Sequence, residues 1–160
     1  MLSAQLGRTV RDVIEIPARC ICGNPLVAAT APRLSNGSPF PTVFYLAHPA
    51  ITAAASRLDA GGLMYEMTDA LAADTELANR YTLAHENYLA ERERIRLISG
   101  TDEVPEIENI SAGGMPTRVK CLHALLGHTL AAGAGVNPIG DRTLEALRER
   151  GLWDPERCSC

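Results

Sequence analysis

No apolar run in this chain approaches the ~20 residues that a helix needs to cross a bilayer, so no membrane span is expected. Positive charge is also short. Lys and Arg number 15 against 19 Asp and Glu, a formal net charge of −4. Nucleic-acid binding wants a basic face to neutralise phosphates, so no nucleic-acid partner is expected. Residues 1–9 lack the basic stretch and the long apolar stretch of a secretory signal, which makes the cytoplasm the expected compartment. The cysteines number five, and an odd count fits a closed disulfide framework poorly. In a reducing compartment they read as thiols or metal ligands. Internal repeats and low-complexity tracts are missing too.

What is present fits one domain. A chain of 160 residues buries roughly two thirds of its unfolded surface. Residues 2–6 read as a short helix stopped by Gly7. The β-branched run 13–19 reads as a strand, and Pro17 confines it to an edge or a bulge. Residues 20–25 form a turn and 26–30 a second strand. Asn36-Gly37 is a strong hairpin signal, and 42–47 is a third strand. Apolar spacing after Pro49 is helical: 50–60 closed by Gly61-Gly62, then 63–73. A long helix follows, capped by Asp74 or Thr75 and running to about residue 98. Two more span about 116–132 and 142–150. Strands first and helices after imply an α+β fold. It is a small antiparallel three-stranded N-terminal meander followed by a helical C-terminal part, one domain over 1–155 (strands about 13–47, helices about 50–150) with 156–160 as a tail.

The chemistry-bearing residues are thiols and imidazoles. Cys20 and Cys22 flank one residue in a turn, His48 ends the third strand, and Cys121 stands near a helix start. Such remote positions can converge on one soft cation, and zinc accepts both donor types. Helical geometry limits the last block. Cys121 and His123 differ by about 200° unless the helix begins between them, and Cys121 and His128 lie ~10.5 Å apart along the axis. The expected set is Cys20, His48 and Cys121, with Cys22 or His123 as fourth. Zinc leads and an iron–sulfur cluster is the runner-up. The bland alternatives stand beside it. Cys121 can be a space-filling core thiol, His128 a satisfied core histidine, and His85 a packing residue. Cys158 and Cys160 read as a tail, with a ligand or redox role as the alternative.

Gly113, Gly114, Arg118 and Lys120 form a second constellation. Glycines before a helix start, with two cations, suit a phosphate or carboxylate. The spacing is not a P-loop, no nucleophile elbow occurs, and solvated charges on a loop are the alternative.

Several blocks carry a resemblance: Arg19-Cys20, Gly23-Asn24-Pro25, residues 39–49 ending His48-Pro49, Ser56-Arg57-Leu58, residues 119–128 and residues 137–140. Together they resemble the bacterial domain of unknown function family numbered 501, in its actinobacterial form, over roughly residues 4–145. The resemblance implies no reaction. Members of that family are encoded near a small cell-division coiled-coil protein and an exopolyphosphatase. The family position matching His48 is usually cysteine, and the exchange favours zinc over an all-cysteine cluster. The functional expectation is a structural or regulatory Cys/His metal-type site. The first alternative is a zinc-dependent enzyme acting on a phosphate- or carboxylate-bearing small molecule. The second is a metal-free helical interaction protein linked to cell division, offering Leu77, Tyr81, Tyr88 and Ile95 of the 74–98 helix to a protein partner.

Overall fold

The computed structural model describes residues 1–157. Helix α1 (Leu2–Leu6) leads into strands β1 (Val13–Arg19), β2 (Pro25–Thr30) and β3 (Phe44–Leu46). Helices α2 (Pro49–Ala60), α3 (Leu63–Ala73), α4 (Thr75–Ser99), α5 (Leu122–Ala132) and α6 (Pro138–Glu149) follow. The fold is α+β, with an antiparallel sheet in the order β1-β2-β3 ahead of the helices.

Every residue of the central strand β2 is buried. The pairing of β1 to β2 shifts register between Glu15 and Ala18, where Pro17 has no N–H for the ladder. Pro25 lies opposite Arg19, and Val27 opposite Leu46. The residues that continue β1 and β3, Cys20 and His48, therefore stand at one end of the sheet. The strand expected over 42–47 is shorter, because the Val43 N–H donates to the Tyr88 hydroxyl at 2.9 Å.

Helix α4 begins where Asp74 Oδ1 accepts from the Leu77 N–H at 3.0 Å, and ends at Gly100 with φ 68°. Its positions Leu77, Tyr81, Ala84, Tyr88, Arg92 and Ile95 recur every three or four residues and are buried. This corrects one expectation. The stripe of Leu77, Tyr81, Tyr88 and Ile95 is the core contact of α4 and is not offered to a partner. Buried Arg92 donates to the carbonyls of Pro41, Ile107 and Ile110, pinning the loop that leads to α5.

The helix expected from Pro116 begins at Leu122 instead. The chain before it closes a compact loop: Lys120 N–H donates to Gly113 O at 2.7 Å and Arg118 N–H to Gly114 O at 3.1 Å. Gly114 holds φ 89°, and a Cβ there would lie 2.6 Å from Arg118 O. Cys121 stays extended at φ −148° and becomes the N-cap position. The helix thus begins between Cys121 and His123.

Helix α5 packs on all three strands and on α2 and α6. Gly127 allows the approach, since a Cβ there would sit 2.6 Å from Phe44 O. From that contact β3 runs onward to His48 and α2, whereas α5 runs back to His123, which meets Thr52 O at 3.2 Å. The two elements are antiparallel, so α5 starts at the Cys20–His48 end of the sheet.

Gly127→Ala should destabilise the protein by about 1–3 kcal/mol, because the Phe44 carbonyl is backbone and can only give way by lifting the helix. Gly61→Ala, where the nearest atoms lie at an ordinary 3.5 Å, should change stability by less than about 1 kcal/mol. Urea denaturation of both variants measures this. Equal costs would mean that Gly127 does not seat α5.

Candidate functional site

Three side chains meet where α5 begins. Asp59, near the end of α2, reaches His123 Nδ1 with Oδ2 at 3.3 Å. His123 Nε2 lies 3.2 Å from Thr52 O and 3.2 Å from Ser56 Oγ. The Ser56 hydroxyl lies 3.0 Å from Thr52 O and 3.2 Å from Nε2 and can donate to either. Each ring nitrogen of His123 thus has oxygen neighbours. An imidazolium donates from both nitrogens, and a neutral ring protonated at Nδ1 accepts from Ser56. Cys121 completes the group. Its sulfur contacts His123, which holds the thiol below its ordinary pKa against the opposing effect of burial, and the Ala124 and His123 amides add to this. In return Cys121, and then Asp59 and the Thr52 carbonyl, hold His123 above its ordinary pKa. Burial raises Asp59, while His123 and the Leu122 amide pull it back down.

The amides of this helix start lie toward two side chains, Leu122 toward Asp59 and His123 and Ala124 toward Cys121, where they lower the pKa of each, although Cys121 makes no side-chain cap hydrogen bond. The anion site expected around Gly113, Gly114, Arg118 and Lys120 lies just upstream. The N–H groups of Arg118 and Lys120 are spent within the loop, and the two cationic side chains are exposed.

The remaining thiol and imidazole residues lie at the same end of the sheet. In the β1–β2 turn the Cys20 N–H donates to Asn24 O and the Gly23 N–H to Cys20 O, each at 2.9 Å. Cys20 is buried, Cys22 is exposed, and their sulfurs are 2.7 Å apart. His48 is buried and caps α2, with Nδ1 accepting the Ala50 N–H at 3.2 Å. Burial lowers its pKa. Among the described residues, no group of three or more His, Cys, Asp or Glu is arranged to hold a metal ion. Cys158 and Cys160 lie outside the described residues.

His85 is half-buried, and its Nδ1 lies 2.7 Å from Ser111 Oγ. Asp59, Ser56 and Thr52 are the site residues that sequence reasoning missed. Their partner His123 is more than sixty positions away, and no local spacing announces it. Among the described residues no helix is long and apolar enough to cross a membrane.

A family model described as "Protein of unknown function (DUF501)" matches residues 16–145. No curated protein and no solved structure matches the chain.

His128, one helical turn and a half further along α5, is fully buried and has a different role. Asn137 Oδ1 accepts the Ile139 and Gly140 amides, which turns its Nδ2 toward His128 Nδ1 at 3.1 Å. The remaining nitrogen, Nε2, donates to Asn87 Oδ1 at 2.8 Å. The ring is neutral, stacked on Phe44 and edge-on to Tyr88, and burial pushes its pKa down to about 4. Above the unfolded value near 6.5 both states are neutral and the stability is intact. As pH falls from there toward about 4, the unfolded chain takes up the proton first. Stability should drop by about 1.4 kcal/mol per pH unit, on the order of 3 kcal/mol in all. Urea midpoints across that window, for the wild type and His128→Leu, measure the effect. An equally steep acid slope in the variant would show that His128 is not its source.

Proposed function

The chain belongs to the DUF501 family, and from that footing we propose that it is a thiol-dependent protein whose working group is the Cys121 thiolate. The observation that carries this is the environment of His123: Asp59 at Nδ1, the Thr52 carbonyl at Nε2 and the Cys121 sulfur beside the ring at a helix start raise its pKa and lower that of the thiol. Low-pKa cysteines are found at helix N-termini, next to cations and partly exposed, and Cys121 meets all three conditions. Asp59 acts behind the imidazole, as the third group does in nucleophile–base–orienter arrangements. The titratable groups bearing on the sulfur are His123, Asp59 through it, and Tyr88 from α4, whose hydroxyl burial keeps un-ionised.

A second reading, zinc held by Cys20 and His48, is favoured by their standing at the same end of the sheet, Cys22 being disulfide-bonded and therefore not a ligand. It gives a structural metal rather than a reacting group. Elemental analysis of purified protein should then find about one zinc per chain, lost in Cys20→Ser and retained in Cys121→Ser. Metal-free, fully folded protein would discard this reading.

The thiolate reading is tested by iodoacetamide alkylation followed across pH, with the Cys121 peptide quantified by mass spectrometry. The midpoint for Cys121 should lie well below the ordinary thiol value of about 8.5. In His123→Ala it should move up, slowing alkylation at about pH 6.5 by ~10-fold or more. An ordinary midpoint in the wild type would refute the reading.

A further inference from the structure

The sheet has two faces, and α5 packs on one of them. Phe44 of β3 stacks on His128 of α5, so the next residue, Tyr45, points to the opposite face. Its cross-strand partner Ala28 shares that face, as do Thr30, two positions further along β2, and its own partner Val13. Two stretches of chain close over this second face. On one side is α1 with the segment after it. Gln5 Nε2 donates to the carbonyls of Pro25 at 3.0 Å and Ala47 at 3.3 Å, and the Arg8 guanidinium stands 6.0 Å from the centre of the Tyr45 ring. On the other side is the loop between β2 and β3, whose Phe40 ring lies 6.5 Å from that of Tyr45 and is tilted 42° to it. The two stretches are clamped together at Asp12. Its carbonyl accepts the Ala31 N–H at 3.0 Å, and its carboxylate accepts from the N–H and the hydroxyl of Ser35, each at 3.1 Å.

The clamp leaves a space between them. A cavity of about 470 Å³ remains, within the size range of small-molecule sites. Ala28, Thr30 and Tyr45 line it from the sheet, and Leu34 and Phe40 from the loop. Arg8 and Arg11 also line it; both are exposed, and among the described residues neither has an ion-pair partner. Among the described residues Asp12 is the one carboxylate in the lining, and Ser35 engages both of its oxygens.

These walls define the chemistry of an occupant. The apolar floor and the angled pair of aromatic rings suit a flat ring. The guanidiniums beside them suit an anion, which planar paired N–H donors recognise. An uncharged ring would leave the cations unmatched, and a bare inorganic anion would leave the apolar surface wet. We infer that this cavity binds an aromatic small molecule carrying a carboxylate or a phosphate. The site lies across the sheet from the Cys121 group and stands whether or not that thiol reacts.

The test is amide NMR on the isotope-labelled full chain. The probes are adenosine monophosphate and indoleacetate, their uncharged counterparts adenosine and indoleacetamide, and inorganic phosphate alone. The expected result is saturable binding of at least one aromatic anion, with a Kd of about 1 mM or tighter. The shifted amides should be those of the cavity, from Arg8 to Val13, Ala28, Thr30 and Tyr45 among them. The uncharged counterpart and inorganic phosphate should bind at least ~10-fold more weakly. Removing both guanidiniums, in Arg8→Gln with Arg11→Gln, should weaken the aromatic anion by a similar factor. Should that variant fail to fold, the wild-type comparison of charged and uncharged probes decides. Binding of the one anion or the other assigns phosphate or carboxylate. No saturation by either aromatic anion up to about 5 mM would overturn the inference. So would shifts gathered elsewhere on the molecule, equal affinity for the uncharged counterpart, or binding that survives the loss of both arginines.

Discussion

The close approach of α5 to the sheet at Gly127 is the constraint on which the rest of the structure depends. With no Cβ, the helix backbone comes down onto the Phe44 carbonyl of β3. The strand and the helix then run antiparallel, and the helix start is carried to the end where β1 and β3 finish. Gly140 does the same for the next layer, since a Cβ there would collide with the Thr129 hydroxyl and the Leu125 carbonyl. Small residues at both crossings let three layers (sheet, α5, α6) close around side chains that are fully buried, among them Tyr88, Leu125 and Ile139.

Placing a helix start against α2 creates an electrostatic demand. The first amides of a helix have no partner within it, and the helix end behaves as roughly half a positive charge. Here the demand is met by Asp59 and Cys121, two groups that carry negative charge only at some cost when half-buried. His123 between them makes that charge tolerable. Each member of the group shifts the others: the ring lowers the thiol, the thiol and Asp59 raise the ring, and the ring and the Leu122 amide pull Asp59 down against burial. A site assembled this way is specified by tertiary contact rather than by any one segment.

That dependence explains what is legible in the sequence. The strand order, the Pro17 irregularity, the Asp74 cap and the Gly61-Gly62 stop are written in neighbouring residues, and the structure follows them. Cys121 and His123 are visible as a Cys-x-His pair, along with the condition under which they can act together, namely a helix beginning between them. Asp59 is not visible. Nothing near it in the chain ties it to the imidazole, and only the crossing of α2 and α5 brings the two together. The 116–121 stretch misleads because Pro116 is acceptable in a first helical turn. The two Gly carbonyls instead capture the amides of Arg118 and Lys120 and delay the helix. The stripe on α4 is ambiguous in principle, since one apolar periodicity serves a partner helix or the protein's own core.

The two histidines of α5 show how far environment, rather than residue type, determines the chemistry. His128 has an amide donor on one nitrogen and an amide oxygen on the other, so one proton satisfies it and burial forbids a second. His123, five residues earlier, has Asp59 at one nitrogen, the Thr52 carbonyl at the other and a sulfur close by, which together raise its pKa. Asn137 settles the first case, because its side-chain oxygen is already committed to the start of α6. Cys121, Asp59 and the Thr52 carbonyl decide the second, because each favours the protonated ring. A single helix therefore holds a neutral ring that stabilises the core and, at its start, a ring whose pKa is raised beside a thiol whose pKa is lowered. The positions of their oxygen and nitrogen neighbours decide which is which.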